Sequence, residues 1–320
     1  MEAKRSPSGE HIVEQGASGK RLDVFVAKLS RSVGLSRAAV REGIEKGLVS
    51  VNGETVREPA KRLRYGDRVV TGFTVPVPPE LAPNGDLTVP VLYEDDDVLF
   101  VSKPAGMQMH PAGNDKTETL ANWIAASRPD MQNVGDDEMR PGIVHRLDRN
   151  TSGVVVLAKT EESFRDLQEV FRSRKADKRY LALVIGHVKA EEGTIDTPIA
   201  HRTGTLRHQT VDNPETFDGK MKSAVSVYRL KHRYADFDLL EIRPKTGRTH
   251  QIRVHLTSIG HPVVGDHLYG GRRMRLSGMP DRQLLHASSL SFTLSGRTIG
   301  AEAPLPRDFA DFLDSLDGNK

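Results

Sequence analysis

Residues 140–160 read RPGIVHRLDRNTSGVVVLAKT. A polar loop carrying His145, Arg146, Asp148, Arg149 and Asn150 runs straight into the apolar stretch GVVVLAK. Polar groups at the mouth of a buried strand sit on a rigid support, and folds commonly carry their active sites at such places. An aspartate there can act as a nucleophile or as a general base. Taken alone, Asp148 is equally a loop carboxylate paired with Arg146 or Arg149, which is the commoner arrangement. A second segment, GRTHQIRVHLTSIGHPVVGD at 247–266, packs Arg248, His250, Gln251, Arg253 and His255 into eight positions. Whether QIRVHL is helix or strand, Arg253 projects differently from its neighbours, and a cation there can pair with an aspartate elsewhere. The histidines at 250, 255, 261 and 267 invite a metal reading. The spacing from His250 to His255 is not that of HExxH, however, and no glutamate base lies between them. Structural or contact-making histidines fit the pattern better than a metal site.

Other chemistries lack their residues. The 320-residue chain has no cysteine, which excludes disulfides, thiolate nucleophiles and cysteine-ligated zinc. It contains no Gly-x-Ser-x-Gly elbow, no GxxxxGK[ST] phosphate loop and no Gly-x-Gly-x-x-Gly after a strand, so no nucleotide-cofactor site is expected. No run approaches the roughly 20 apolar residues of a membrane span. The first twenty residues have no apolar core and do not read as a secretory signal. With 37% hydrophobic and 28% charged residues, a globular, cytoplasmic protein is expected. The net charge is only +3, but Lys20 to Arg68 holds twelve Lys and Arg against six Asp and Glu. A basic segment on an otherwise slightly acidic chain suits a module that docks on a polyanion, or simply a solvated charged surface.

The elements that must hold these residues fall into two groups. Residues 1–18 are polar and are expected to form a disordered tail. Residues 19–75 read as a small domain. Leu22, Val26 and Leu29 recur at helical spacing, and Ser36 is a candidate N-cap for a second helix, SRAAVREGIEKG, ending at Gly47. Asn52-Gly53 between alternating apolar residues signals a hairpin. Five prolines between 76 and 90 read as a linker. From 91 to 312 short β-rich runs (VLFVSK, GVVVLAK, YLALVIGHV, SAVSVYRL, DLLEIRP, SLSFTL) alternate irregularly with helical stretches such as LANWIAASR and EESFRDLQEVFRSR. The expected class is α+β, with a mixed, largely antiparallel sheet and a small N-terminal α/β domain.

At this point the motifs resemble those of a known family. HRLDRNTSG at 145–153 closely resembles the signature of the RluA/RluD-type pseudouridine synthases. SKPAGMQMHPAGN at 102–114, KRYLALVIGHV at 178–188, TGRTHQIRVHL at 246–256, and LLHASSLSF followed by APLPRDF resemble that family's other motifs, in the same order. SRAAVREGIEKGLVSVNG is similar to part of an S4-like RNA-binding domain. That domain points, within the family, to enzymes of large-subunit ribosomal RNA, and the resemblance of RPGIVHRLD and HPAGN puts the RluD-like branch first and the RluC-like branch second.

The resemblance implies that Asp148 is the catalytic aspartate and that Arg253 pairs with it. It also implies that Tyr180 stacks on the target base and that Arg146 fills the space the base vacates. The bland readings are a half-buried strand tyrosine and a surface salt bridge. The reaction breaks the ribose–uracil nitrogen bond, turns the base and rejoins it through carbon 5, with no redox or nucleotide cofactor. The base must leave its stack first. Arg37, Arg41 and Lys46, on the second helix of the basic domain, are assigned to phosphate contacts, which supply affinity rather than choice of site. The expected partner is large-subunit ribosomal RNA or an assembling subunit, and the expected state a monomer. Competing readings are a catalytically silent RNA-binding factor, a synthase acting on transfer or messenger RNA, and a glycoside hydrolase. The last requires a second positioned carboxylate, and none is evident.

Overall fold

A computed structural model describes residues 9–29, 35, 37–73, 80–112, 115–201, 209–210, 221–271 and 278–317. The proposed cap Ser36 lies outside them. The chain divides into two compact units, residues 1–80 and 81–320.

In the first unit a four-stranded sheet is built from β1 (Glu10–Ile12), β2 (Val49–Val51), β3 (Glu54–Thr55) and β4 (Arg68–Thr71), in the order β1-β4-β2-β3. Helices α1 (Leu22–Leu29) and α2 (Arg37–Glu45) complete it. Leu22, Val26, Val40, Ile44 and Val69 form its fully buried core. Asn52 and Gly53 both take positive φ, 54° and 86°, as the tight turn between β2 and β3 requires. Gly47 (φ 83°) ends α2: its N–H donates to Ile44, and that of Leu48 to Gly43, closing the last turn. Two expectations are corrected here. Residues 10–18 are not a free tail, because β1 pairs with β4 and Val13 is fully buried. The apolar stretch that anchors them, Ile12-Val13, is too short to stand out in the sequence. Lys46 lies one residue beyond α2, in the turn rather than on the helix.

The second unit is organised around a nine-stranded sheet. Its strands are β5 (Val91–Glu94), β6 (Val98–Lys103), β7 (Ser152–Ala158), β8 (Asp177–Ile185), β9 (Glu192–Asp196), β12 (Val225–Arg233), β13 (Phe237–Pro244), β14 (Leu285–Leu294) and β15 (Arg297–Glu302). The order is β5-β6-β7-β14-β8-β13-β12-β9, with β15 on β14; a separate pair joins β10 (Ala200–His201) to β11 (Gln209–Thr210). The β7–β14 pairing is parallel and the other pairings of this sheet are antiparallel, giving the mixed α+β architecture. All seven residues of β7 are buried, which explains its unbroken apolar run. Helices α3 (Leu120–Ser127) and α4 (Glu161–Arg172) place Ile124 and Leu167 in one core with β6 and β7. Both helices start from capping boxes, at Thr119 and Thr160. Helix α5 (Gln251–Ser258) packs Ile252 and Leu256 against Ala182 of β8 and Leu240 of β13. Helix α6 (Arg307–Asp317) buries Phe309 beside Leu183. The stretch expected as a linker to residue 90 is corrected in its second half. Residues from Leu81 belong to this unit: Val89 is buried, and Asn122 of α3 donates to the Ala82 carbonyl.

Candidate active site

Asp148 sits in the loop that leads into β7, and that loop is fixed through its backbone. The Arg149 carbonyl accepts from the Gly106 N–H (3.0 Å) and from Nζ of Lys103 (3.0 Å). The Asn150 carbonyl accepts from Nη1 of Arg282 (3.2 Å), whose fork also holds Asp308 of α6 at 2.6 and 2.9 Å. Lys103 is wholly buried and donates as well to the carbonyls of Pro104 and Met107. Burial pushes its ammonium down to about 7, and the charge of Asp148 pulls the other way. The loop leaves through Gly153, at φ 115°, where an added Cβ would lie 2.1 Å from the Ala287 carbonyl oxygen of β14. Glycine is required because the two strands touch there.

QIRVHL is a helix, and its third residue, Arg253, points at Asp148. Nη1 of Arg253 donates to Oδ2 of Asp148 at 3.0 Å, while Nε and Nη2 donate to Oδ2 and Oδ1 of Asp266 at 2.7 and 2.9 Å. The guanidinium is nearly buried and Asp266 is wholly so. Burial alone would lower the pKa of Arg253, but the two carboxylates outweigh it and the cation is held above its ordinary value. Asp266 also accepts from the backbone N–H groups of Leu268 and Tyr269. Tyr269 lies under the guanidinium, 5.0 Å from ring centroid to Cζ, and its hydroxyl meets Nδ1 of His250 at 2.8 Å. His250 caps α5 in the left-handed region (φ 56°) and brings Nε2 to 3.9 Å from Oδ1 of Asp148. Burial lowers the pKa of His250 and so favours its neutral ring, while the charge of Asp148 pulls the other way.

Asp148 and Tyr180 line one cleft of about 650 Å³. Tyr180, on β8, is packed between two hydrophobic clusters, and burial followed by the charge of Asp148 raises its hydroxyl pKa. The ring therefore stays uncharged, with one apolar face for packing. Arg172, Arg174 and Lys175, at the end of α4, line the same cleft as Arg243, near the end of β13, and Lys245 and Arg248, between β13 and α5. Arg146 is exposed on it and has no hydrogen-bond partner among the described residues. The alternative pairings of Asp148 are not formed. Arg149 turns instead to the Gly106 carbonyl (2.8 Å) and to Asp115 (3.8 Å).

Two of the four histidines are structural. His255 donates from Nε2 to the Thr197 carbonyl (2.9 Å) and faces the Ser226 hydroxyl with Nδ1 (3.0 Å), and His261 meets the Ile185 carbonyl at 3.0 Å. In the first unit Arg37 and Arg41 are exposed, and Lys46 pairs with Glu42 at 2.6 Å. Sequence reasoning missed Asp266, Lys103 and Arg282 as parts of the site. Asp266 closes the very segment that carries Arg253, but its role is defined by the guanidinium it meets in space and not by its neighbours in the chain.

The paired aspartate thus lies in a cleft lined by arginines and lysines and set on a mixed sheet. The family model described as RNA pseudouridylate synthase matches residues 97–258, and that of the S4 domain matches residues 20–69. An uncharacterized RNA pseudouridine synthase of Aquifex aeolicus is 41% identical over 281 residues, covering 85% of each chain. A ribosomal large subunit pseudouridine synthase D of Xanthomonas campestris is 38% identical over 318 residues, covering 95% of this chain and 91% of that one. The solved structure of human RNA pseudouridylate synthase domain containing 1 shares the fold, with a TM-score of 0.58 at 24% identity over 74% of this chain and 98% of that one. The chain belongs to the RNA pseudouridine synthase family.

Proposed function

We propose that this enzyme isomerises uridines of large-subunit ribosomal RNA, free or in an assembling particle, and that Asp148 is the reacting carboxylate. The observation that carries the reading is the geometry of Asp148. One oxygen is tied to Arg253 at 3.0 Å, and the carboxylate lines a cleft with Tyr180 and cationic side chains. With Oδ2 so held, Oδ1 is the oxygen available to the ribose or the base. A carboxylate can attack as a nucleophile or take a ribose proton, and both routes use the same placement. The C1′–N1 bond breaks, the uracil turns, C5 bonds to C1′, N1 gains a proton and the C5 proton passes to water. Tyr180 offers a flat, uncharged face to the extruded base, and Arg146 takes the space the base leaves.

The substrate class rests on relatives. Proteins named ribosomal large subunit pseudouridine synthase D, from Xanthomonas campestris, Xylella fastidiosa and Yersinia pestis, are 34–38% identical over 95–97% of this chain. The N-terminal domain, 19–75, adds affinity through Arg37, Arg41 and Lys46, and the protein works in the cytoplasm as a monomer. The test is tritium release from uridine-5-³H transcripts of large-subunit rRNA, small-subunit rRNA and transfer RNA. Release from the first, at a few discrete positions, is expected. Release from transfer RNA alone contradicts the substrate assignment.

A further inference from the structure

Arg253 serves two carboxylates, and only one of them faces the cleft. Asp266 is fully buried, lies 13 residues further along the chain, and takes the Nε–Nη2 edge of the guanidinium with both oxygens. That leaves Nη1 for Asp148. Asp266 is itself fixed: its Oδ1 accepts from the N–H groups of Leu268 and Tyr269, and the Tyr269 ring lies under the guanidinium. We infer that Asp266 is a positioning residue of the reaction, acting through Arg253 on Asp148.

Two physical effects follow. The first is geometric. An arginine with a free fork binds a carboxylate through both oxygens. Without Asp266, Arg253 is free to turn its fork onto Asp148 and occupy Oδ1, the oxygen the reaction needs. The second is electrostatic. One cation is shared between two carboxylates, so without Asp266 the whole guanidinium charge falls to Asp148. The other groups that interact with Asp148 are His250 from the start of α5, Lys103 from β6 and Tyr180 from β8, and Arg146 from the Asp148 loop acts on His250. Among them only Arg253 is held by a buried counter-carboxylate.

This inference rests on the reading of Asp148 as the reacting group, and its test separates the two. Single-turnover tritium release is measured for the wild type and for Asp148→Asn, Asp266→Asn, Asp266→Glu, Arg253→Lys and the Arg253→Lys/Asp266→Asn double variant. Thermal unfolding reports folding. Asp266→Asn is expected to lower the saturating rate about 10- to 100-fold, with the half-saturating enzyme concentration within about twofold. Asp266→Glu keeps the charge but displaces the guanidinium, so the saturating rate falls here too; it carries the test if Asp266→Asn does not fold. Adding Asp266→Asn to Arg253→Lys is expected to cost little more, because the two act as a unit. A wild-type rate in either folded Asp266 variant, or losses that multiply in the double variant, would overturn the role of Asp266. A wild-type rate in Asp148→Asn would overturn the underlying reading instead.

Discussion

At the residue scale, the central contact is one hydrogen bond of 3.0 Å between Arg253 and Asp148. A lysine at 253 keeps the charge but cannot span two carboxylates with a planar fork. Arg253→Lys is expected to fold and to lose about 100-fold or more in single-turnover rate. Circular dichroism and tritium release check the two halves, and near-normal turnover contradicts the pairing role. The sequence alone placed Asp148 and Arg253 in separate motifs 105 residues apart, and their resemblance to known motifs suggested the pairing. What the sequence could not show was where the rest of the fork goes. A buried acceptor such as Asp266 is defined by its partner in space, and nothing in GHPVVGD distinguishes it from a turn aspartate.

At the element scale, the site depends on how strand ends meet. The parallel contact between β7 and β14 brings Gly153 against Ala287, with no room for a side chain. Gly153→Ala is expected to cost about 3 kcal/mol, from a disfavoured φ together with overpacking. The urea midpoint reports it, and an unchanged midpoint contradicts the packing argument. The six β-rich runs were legible because their branched and aromatic residues alternate or cluster. The Asn52-Gly53 hairpin was legible because that pair is the residue choice the turn demands. The N-terminal edge strand and the packed second half of the proline-rich stretch were not. Each is held by one or two apolar residues and by backbone pairing, which leaves almost no periodicity to read.

At the scale of the whole molecule, five histidines, 110, 145, 250, 255 and 286, have lowered pKa values, chiefly through burial. His145 is pushed down to about 3 and His110 to about 4. In the unfolded chain each takes a proton near pH 6.5. Below that pH the unfolded state therefore binds more protons than the native one, and stability falls as pH falls. The stability these rings contribute is complete above about pH 6.5 and is lost toward pH 3–4. Urea unfolding between pH 6.5 and 4.5 is expected to fall more steeply than one titrating group allows, about 1.4 kcal/mol per pH unit, and less steeply in His145→Phe. A flat profile down to pH 5 contradicts this.

The two compact units also make a prediction about binding. Deleting residues 1–75 is expected to weaken RNA affinity while sparing the chemistry, since Asp148, Tyr180 and Arg253 all lie in the second unit. If the truncated enzyme modifies full-length rRNA as fast as the intact one, the phosphate-contact role of Arg37, Arg41 and Lys46 is wrong.

The most direct measurement compares this protein with Asp148→Asn on large-subunit rRNA labelled with tritium at carbon 5 of uridine. Rejoining the base through that carbon must release the label to water. Release by the wild type and none by the variant, with both folded and both binding RNA, is the result expected. Equal release by both would show that another group does the chemistry and would contradict the role assigned to Asp148.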